Sequence, residues 1–242
     1  MPRAAPDHPP AVADPLDNPI WNSLIGPQAA IANGTAEVLR YPNDISLFHG
    51  VPDPLGHGVA ALADVTGPGD AAVFITTEPT AVPIDFAQVF QGAFHQMVCS
   101  ALTQAPPSIG DAGVVELTAD DVGEMLTLVR LTEPGPFLPR THTLGRYIGI
   151  RHDGALVAMA GQRMRVDGAT EVSAVCTHPD ARGRGYAARL VRALTAQIHA
   201  GGEHAFLHVS VDNAGARAVY ERLGYETRTF VTIQAFLRKS VP

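Results

Sequence analysis

A turn rich in glycine and arginine constrains the fold of this 242-residue chain more than any other segment. It joins a predicted strand (170–177) to a predicted helix (189–200) whose apolar residues recur at the spacing of one helical face. Glycine lets the backbone approach a ligand closely, and the first N–H groups of a helix have no partner within the helix. Because the helix dipole also favours negative charge there, the turn predicts an anion pocket suited to a pyrophosphate. Three arginines add positive charge around it: Arg182, Arg184 and Arg189.

The elements on both sides of this turn predict an α+β fold. Apolar periodicity and turn residues such as Asp153-Gly154 and Asp167-Gly168 set their bounds. The predicted helices are 118–130, 189–200 and 213–223, and the predicted strands are 146–151, 155–165, 170–177, 205–211 and 229–238. Hairpin-linked strands followed by alternating helices and strands favour a mixed, largely antiparallel central sheet flanked by helices.

The first half of the chain predicts a smaller, weakly patterned lobe. We expect a disordered tail over 1–17, an N-terminal lobe over 18–104, a linker over 105–112 that contains two prolines, and the main domain over 113–242. Within the lobe we predict a helix over 19–32 that breaks at Gly26-Pro27, a strand over 71–76, and either a strand or a helix over 86–102. No catalytic spacing stands out in this lobe.

Composition excludes several classes of protein. The net charge of -7 argues against a nucleic-acid-binding protein. The two cysteines, Cys99 and Cys176, are too few for a disulfide scaffold and lack the spacing of metal ligands. No apolar run approaches the roughly 20 residues that cross a membrane, and the sequence does not open with a signal-peptide pattern. We therefore expect a cytoplasmic protein with no metal and with neither nucleic-acid nor membrane partners.

Two blocks of the sequence resemble the GNAT acyltransferases. Arg182, Gly185 and Ala187 fit the family's Arg/Gln-x-x-Gly-x-Gly/Ala loop. The second block fits the ending Asn-x-x-Ala-x-x-x-Tyr-x-x-x-Gly-Phe/Tyr at every position, with Asn213, Ala216, Tyr220, Gly224 and Tyr225. The resemblance covers residues 113–242 and implies the GNAT fold. The chain is also similar to relatives of glycine N-acyltransferases, in which a degenerate N-terminal GNAT lobe precedes an active one. This similarity implies that the first lobe of this chain is degenerate.

The resemblance implies acetyl-CoA as the co-substrate. In the family the loop N–H groups hold the pyrophosphate, and the backbone of the preceding strand pairs with the pantetheine arm. The implied contacts in this chain are Val175, Cys176, Thr177, Arg182, Gly183, Arg184, Gly185, Tyr186, Ala187, Ala188 and Asn213.

The residue types also suggest how an acetyl group would be transferred. A thioester that reacts with an amine needs a proton for its departing thiolate. A phenol has a pKa near 10 and a thiol a pKa near 8.5, so a tyrosine can protonate a thiolate while remaining neutral at pH 7. We therefore expect Tyr220 to be the general acid.

The general base has two candidates in the sequence. His208 occupies the strand position that carries a glutamate in the ribosomal-protein alanine acetyltransferases, and the ordinary pKa of histidine, near 6.5, suits the role. Glu171, at the start of the strand before the loop, is the second candidate and would act through a water molecule. A mechanism without any side-chain base is the third possibility.

These observations together predict an acetyl-CoA-dependent N-acetyltransferase. The acceptor would be the primary amine of a small molecule, an amino acid or a peptide N-terminus, and it would attack the thioester directly. Candidate residues of the acceptor cleft lie at Pro136-Phe137 and over 140–143. The alternative is a non-catalytic module of the same fold that binds acetyl-CoA for regulation.

Overall fold

The structure is a computed structural model that describes residues 14–53, 57–103 and 113–240. Eight strands of the described residues form one sheet, and three two-residue strands form a second, small sheet. The small sheet contains β1 (Asn33–Gly34), β2 (Leu39–Arg40) and β3 (His49–Gly50). The main sheet contains β4 (Ala71–Thr76), β5 (Phe86–Cys99), β6 (Val114–Leu117), β7 (Tyr147–His152), β8 (Ala155–Val166), β9 (Ala169–Thr177), β10 (His204–Ser210) and β11 (Glu226–Arg238). The helices are α1 (Pro19–Ile25), α2 (Leu62–Val65), α3 (Val122–Thr132), α4 (Tyr186–Ala200) and α5 (Ala214–Leu223).

The strands of the main sheet follow the order β4-β11-β5-β10-β9-β8-β7-β6. Neighbouring strands pair antiparallel except β9 and β10, which are parallel. The predicted mixed, largely antiparallel α+β sheet is therefore confirmed. The crossover between the two parallel strands is α4, as parallel pairing requires.

Strands from the first half of the chain complete this sheet. β5 lies between β10 and β11 and pairs with both, and β4 forms the outer edge beside β11. The segment 86–102, which the sequence left open between strand and helix, is a strand because partners on both sides satisfy its backbone groups. Residues of both predicted lobes thus build one sheet. The predicted linker, 105–112, lies outside the described residues.

The predicted disordered tail extends too far along the chain. Residues 1–13 lie outside the described residues, but Pro15–Asp17 forms a 3-10 helix capped by the Asp14 side chain. Leu16 is buried in the core, and Arg228 forms ion pairs with Asp14 (3.0 Å) and Asp17 (2.5 Å). Burial of an apolar side chain together with these paired charges explains why the prediction is wrong for residues 14–17.

The helices cover the sheet from both faces. α4 packs on the face of β8 that carries Ala158 and Ala160, with α5 beside it, whereas α3 packs against the intervening Met159, which points to the opposite face. On the face of α3, the N-terminal α1 covers the other half of the sheet around Phe206 of β10. The predicted break in the first helix is confirmed, since α1 ends at Gly26 and a short 3-10 helix (Ala29–Ile31) follows.

Candidate active site

A wedge opens between β9 and β10 in the middle of the sheet. The two strands pair only where His204, Ala205 and Phe206 face the first three residues of β9. Beyond Glu171 the described strands no longer pair with each other, so the facing backbone edge of β9 has no strand partner. Ala174, in the left-handed region with φ of 51°, forms part of an irregularity where β9 bends. An extended molecule with amide groups fits such an edge because it can complete the hydrogen bonds of the strand.

The predicted glycine and arginine loop lies at the C-terminal end of β9. Gly183 and Gly185 adopt φ of 78° and 75°, and Gly185 is the N-cap of α4. A Cβ at either position would meet nothing within 4 Å, so it is the backbone conformation that requires glycine there. The first hydrogen bond of α4 runs from the Arg189 N–H to the Gly185 carbonyl (3.1 Å), which leaves the N–H groups of Tyr186, Ala187 and Ala188 without helical partners.

Arginine side chains surround this helix N-terminus. Arg182 and Arg184 are exposed, and Arg184 donates a long hydrogen bond of 3.4 Å to the carbonyl of Asp180. The guanidinium of Arg189 lies 5.9 Å from the centre of the Tyr186 ring. The loop therefore combines free backbone donors with three positive charges, as a pyrophosphate would need.

Tyr220 of α5 packs in the buried cluster on the α4 face of the sheet. It belongs to the same buried cluster as Val175 of β9 and Tyr186 of α4, and it is 8% exposed. Burial raises the pKa of Tyr220 to about 12. Among the described residues no group forms a hydrogen bond with its hydroxyl, whereas the hydroxyl of neighbouring Tyr225 bonds to Thr195 at 2.6 Å. Tyr220 is therefore a neutral phenol whose proton is not committed to a protein partner.

The other predicted cofactor contacts have varied surroundings. Asn213 is the N-cap of α5, where its Oδ1 accepts a hydrogen bond from the Ala216 N–H (3.0 Å), so only its amide nitrogen is left for a ligand. Cys176 is buried, and burial raises the pKa of its thiol to about 11. A thiol with that pKa is protonated and therefore a poor nucleophile at neutral pH.

The two predicted base candidates form one buried pair. His208 Nδ1 lies 2.8 Å from Glu171 Oε1, and the two side chains are 3% and 1% exposed. Arg163 holds both oxygens of the same carboxylate, with Nε and Nη2 each at 2.7 Å. Burial alone would raise the pKa of Glu171, but the charge and hydrogen bonds of Arg163 and His208 outweigh it and bring that pKa to about 2. Glu171 is therefore ionised and bonded to Arg163 and His208, and its carboxylate is a weak base.

Side chains of the N-terminal segment cover this pair. Gln96 of β5 places its amide nitrogen 3.4 Å from His208 Nε2, and the Phe48 ring stacks 4.5 Å from the guanidinium carbon of Arg163. Arg163 is the residue that sequence reasoning missed. Its nearness to Glu171 depends on a β-bulge, in which Arg163 and Met164 together oppose the single residue Glu171.

The predicted acceptor-cleft residues attach their loop to the N-terminal segment instead. Phe137 is buried with its ring 5.5 Å from that of Tyr147. The Thr141 hydroxyl donates to the Ile45 carbonyl (2.6 Å), and Arg140 pairs with Asp44 (3.0 Å). These side chains attach the loop to the N-terminal segment and to the core.

The parallel strands β9 and β10, which separate beyond Glu171, and the glycine loop that follows β9 are the features to compare with known proteins. A family model described as FR47-like protein matches residues 147–233. A structure from Novosphingobium aromaticivorans, described as an acetyltransferase of the GNAT family, is 37% identical, and the match covers 94% of this chain and 100% of that chain with a TM-score of 0.86. A GCN5-related N-acetyltransferase from Kribbella flavida shares the fold at 20% identity, with 91% and 96% coverage and a TM-score of 0.53.

The chain belongs to the GNAT superfamily of acetyltransferases, as these matches show. The resemblance inferred from the two sequence blocks is confirmed. No curated protein sequence matches the chain. Within the described residues, no helix is long and apolar enough to cross a membrane.

Proposed function

We propose that this chain is an acetyl-CoA-dependent N-acetyltransferase that acts on a primary amine of a small molecule, an amino acid or a peptide N-terminus. One observation carries the proposal: the edge of β9 beyond Glu171 leads to the glycine loop, and Tyr220 packs in one cluster with Val175 of β9 and Tyr186 at the start of α4. The part of acetyl-CoA that runs from its pyrophosphate to its thioester matches that order of features.

In this proposal the backbone of the chain binds the pyrophosphate and the pantetheine arm of acetyl-CoA. The N–H groups from Gly183 to Ala188 hold the pyrophosphate, with Arg182 and Arg184 adding charge. The backbone of 175–177 pairs with the pantetheine amides. The amide nitrogen of Asn213 supplies a further contact at the start of α5.

Tyr220 acts as the general acid in the proposed reaction. The neutral amine forms a bond to the thioester carbonyl carbon, the carbon–sulfur bond breaks, and Tyr220 donates its proton to the departing sulfur. Solvent then restores the proton of the phenol. Because burial keeps Tyr220 protonated, the group is available as an acid over the whole neutral range.

His208 accepts the proton that the amine loses, and Glu171 positions it. An ionised carboxylate only accepts hydrogen bonds, so the proton of the neutral imidazole resides on Nδ1 and the lone pair on Nε2. Glu171 also stabilises the imidazolium that forms. His208 is 3% exposed and its Nε2 faces the Gln96 amide nitrogen at 3.4 Å, so the proton reaches Nε2 through a water molecule that replaces this long contact.

The test replaces Tyr220 with phenylalanine and measures binding and turnover separately. Acetyl-CoA binding is followed by thermal shift with NADH as the control ligand, and turnover by thiol release with a panel of amines. We expect Tyr220→Phe to bind acetyl-CoA as the native protein does and to lose about 10²- to 10⁴-fold in kcat, the usual contribution of a general acid. Unchanged turnover would remove Tyr220 from the mechanism.

The burial of Glu171 and His208 under the N-terminal segment supports a second candidate function. A module that binds acetyl-CoA without transferring its acetyl group needs no accessible base. The same experiment separates the two: binding of acetyl-CoA with no release of thiol for any amine favours the non-catalytic module.

A further inference from the structure

Arg163 has a donor group that the described residues leave without a hydrogen-bond partner. Its side chain is 11% exposed and lies between β9 and the Phe48 ring. The guanidinium donates hydrogen bonds from Nε and Nη2 to the two carboxylate oxygens of Glu171. The other fork, Nη1 with the remaining proton of Nη2, has no partner among the residues that the structure describes. A guanidinium fork fits the two oxygens of a carboxylate.

Tyr147 provides a second unused group on the same face of the sheet. It is 2% exposed, and its hydroxyl is buried with no hydrogen-bond partner in the described chain. The ring lies across Gly161, where a Cβ would approach its Cε1 to 2.1 Å. Gly161 pairs with Tyr147 on one side and with Ser173 on the other, so the absence of a side chain lets the ring point towards β9.

The two unused groups are neighbours. Tyr147 pairs with Gly161 of β8, and Arg163 is two residues beyond Gly161 on the same strand, so the two side chains extend from the same face of the sheet. Buried polar groups in proteins are almost always paired, so a hydroxyl and a guanidinium fork that have no partner among the described residues indicate a further group that completes them. Both groups donate hydrogen bonds, and the site therefore selects an acceptor of hydrogen bonds.

We propose that Arg163 and Tyr147 bind the carboxylate of an amino-acid acceptor. The inference rests on the proposed function and narrows its substrate class from primary amines in general to α-amino acids. A carboxylate is favoured over a neutral carbonyl because charge-assisted hydrogen bonds are the stronger ones and the surroundings are largely apolar. The amine of the bound amino acid then lies on the side of Glu171 and His208, and His208 accepts its proton.

The experiment measures binding of matched ligands to the full chain. Each L-amino acid is compared with its amide and with the amine that decarboxylation leaves, by calorimetry with and without CoA. We expect an amino acid to bind at least tenfold more tightly than either analogue. Tyr147→Phe should weaken that binding about tenfold and leave the affinity for CoA and for the decarboxylated amine unchanged.

Tyr41→Phe is the matched control. The Tyr41 hydroxyl is also buried close to Arg163, but it already bonds to Ser23 (2.9 Å) and Gln28 (2.7 Å). Its removal should lower thermal stability without changing amino-acid binding. The proposal is overturned if the amides or amines bind as well as the amino acids, or if Tyr147→Phe changes only the melting temperature, which would assign a water molecule to the hydroxyl. Amino-acid binding without any acetyl transfer would support this inference while contradicting the proposed function.

Discussion

The two sides of the wedge are built in different ways. On the side of α4, the loop from Arg182 to Ala188 and the α5 residue Tyr220 are held by local geometry: left-handed glycines, a helix N-terminus and a short helix. On the side of the N-terminal segment, Arg163, Glu171 and His208 come from three strands and are covered by a fourth.

This difference separates two kinds of chemistry within one site. The first side is open and presents backbone donors, which suits a ligand that must enter and leave. The second side is closed and consists of paired charges that lose most of their hydration, so each depends on its partner. Substitutions on the open side should therefore change mainly the affinity for acetyl-CoA, and substitutions on the closed side mainly the free energy of unfolding.

The largest effect is expected for Arg163→Met. This change leaves Glu171 ionised and buried without its main partner, and breaking one half of a buried pair costs about 3–5 kcal/mol of unfolding free energy. Urea unfolding measures the loss, and acetyl-CoA affinity should not change. Arg165→Met is the control, because Arg165 is half exposed and its pair with Glu203 (2.5 Å) should contribute less than about 1 kcal/mol. Equal losses in the two variants would contradict a special role for the buried pair.

The second prediction concerns the response of the closed side to acid. The pKa of Glu171 is about 2 in the folded chain against 4.5 for an ordinary glutamate, so the carboxylate stabilises the fold above pH 4.5 and the contribution disappears as the pH falls towards 2. The difference in stability between the native chain and Glu171→Gln, about 3 kcal/mol at neutral pH, should shrink across that range.

Unfolding curves measured from pH 7 down to pH 2 test this dependence. A difference between the two proteins that stays constant over the whole range would show that the ion pair contributes nothing through its charge. Acetyl-CoA affinity of Glu171→Gln at neutral pH provides the control, since the open side of the wedge contains none of the affected groups.

The sequence predicts the open side well because its information is contiguous. The loop, the amphipathic helix after it and the spacing from Asn213 to Tyr225 lie within short windows, where periodicity and glycine positions determine local structure. The helix bounds differ at their first turns, as for α4, which begins at Tyr186 rather than at 189.

The closed side could not be predicted from the sequence because it depends on pairings between distant segments. The turn at Asp167-Gly168 fixes the pairing of Arg165 with Thr170, but the bulge beside this pair brings Arg163 rather than Met164 to Glu171. No residue type in that stretch of the sequence predicts the bulge. In the same way, β5 enters the sheet beside β10 only because of backbone pairing across more than a hundred residues of chain. Hydrophobic periodicity predicts that a strand exists, and it does not say which strand becomes its neighbour.

The smallest effect, expected for Gly185→Ala, tests the open side by itself. The left-handed conformation at this position disfavours alanine by about 1–2 kcal/mol, and since a Cβ there meets nothing within 4 Å, the cost arises from the backbone alone. The loop can relieve that strain by rotating its N–H groups away from the wedge, so acetyl-CoA should bind several-fold more weakly. Gly123→Ala is the matched control, because its Cβ also meets open space but its backbone is helical; it should stabilise the chain by about 0.5–1 kcal/mol. If Gly185→Ala destabilises the chain and yet binds acetyl-CoA normally, the backbone donors of the loop do not hold the pyrophosphate.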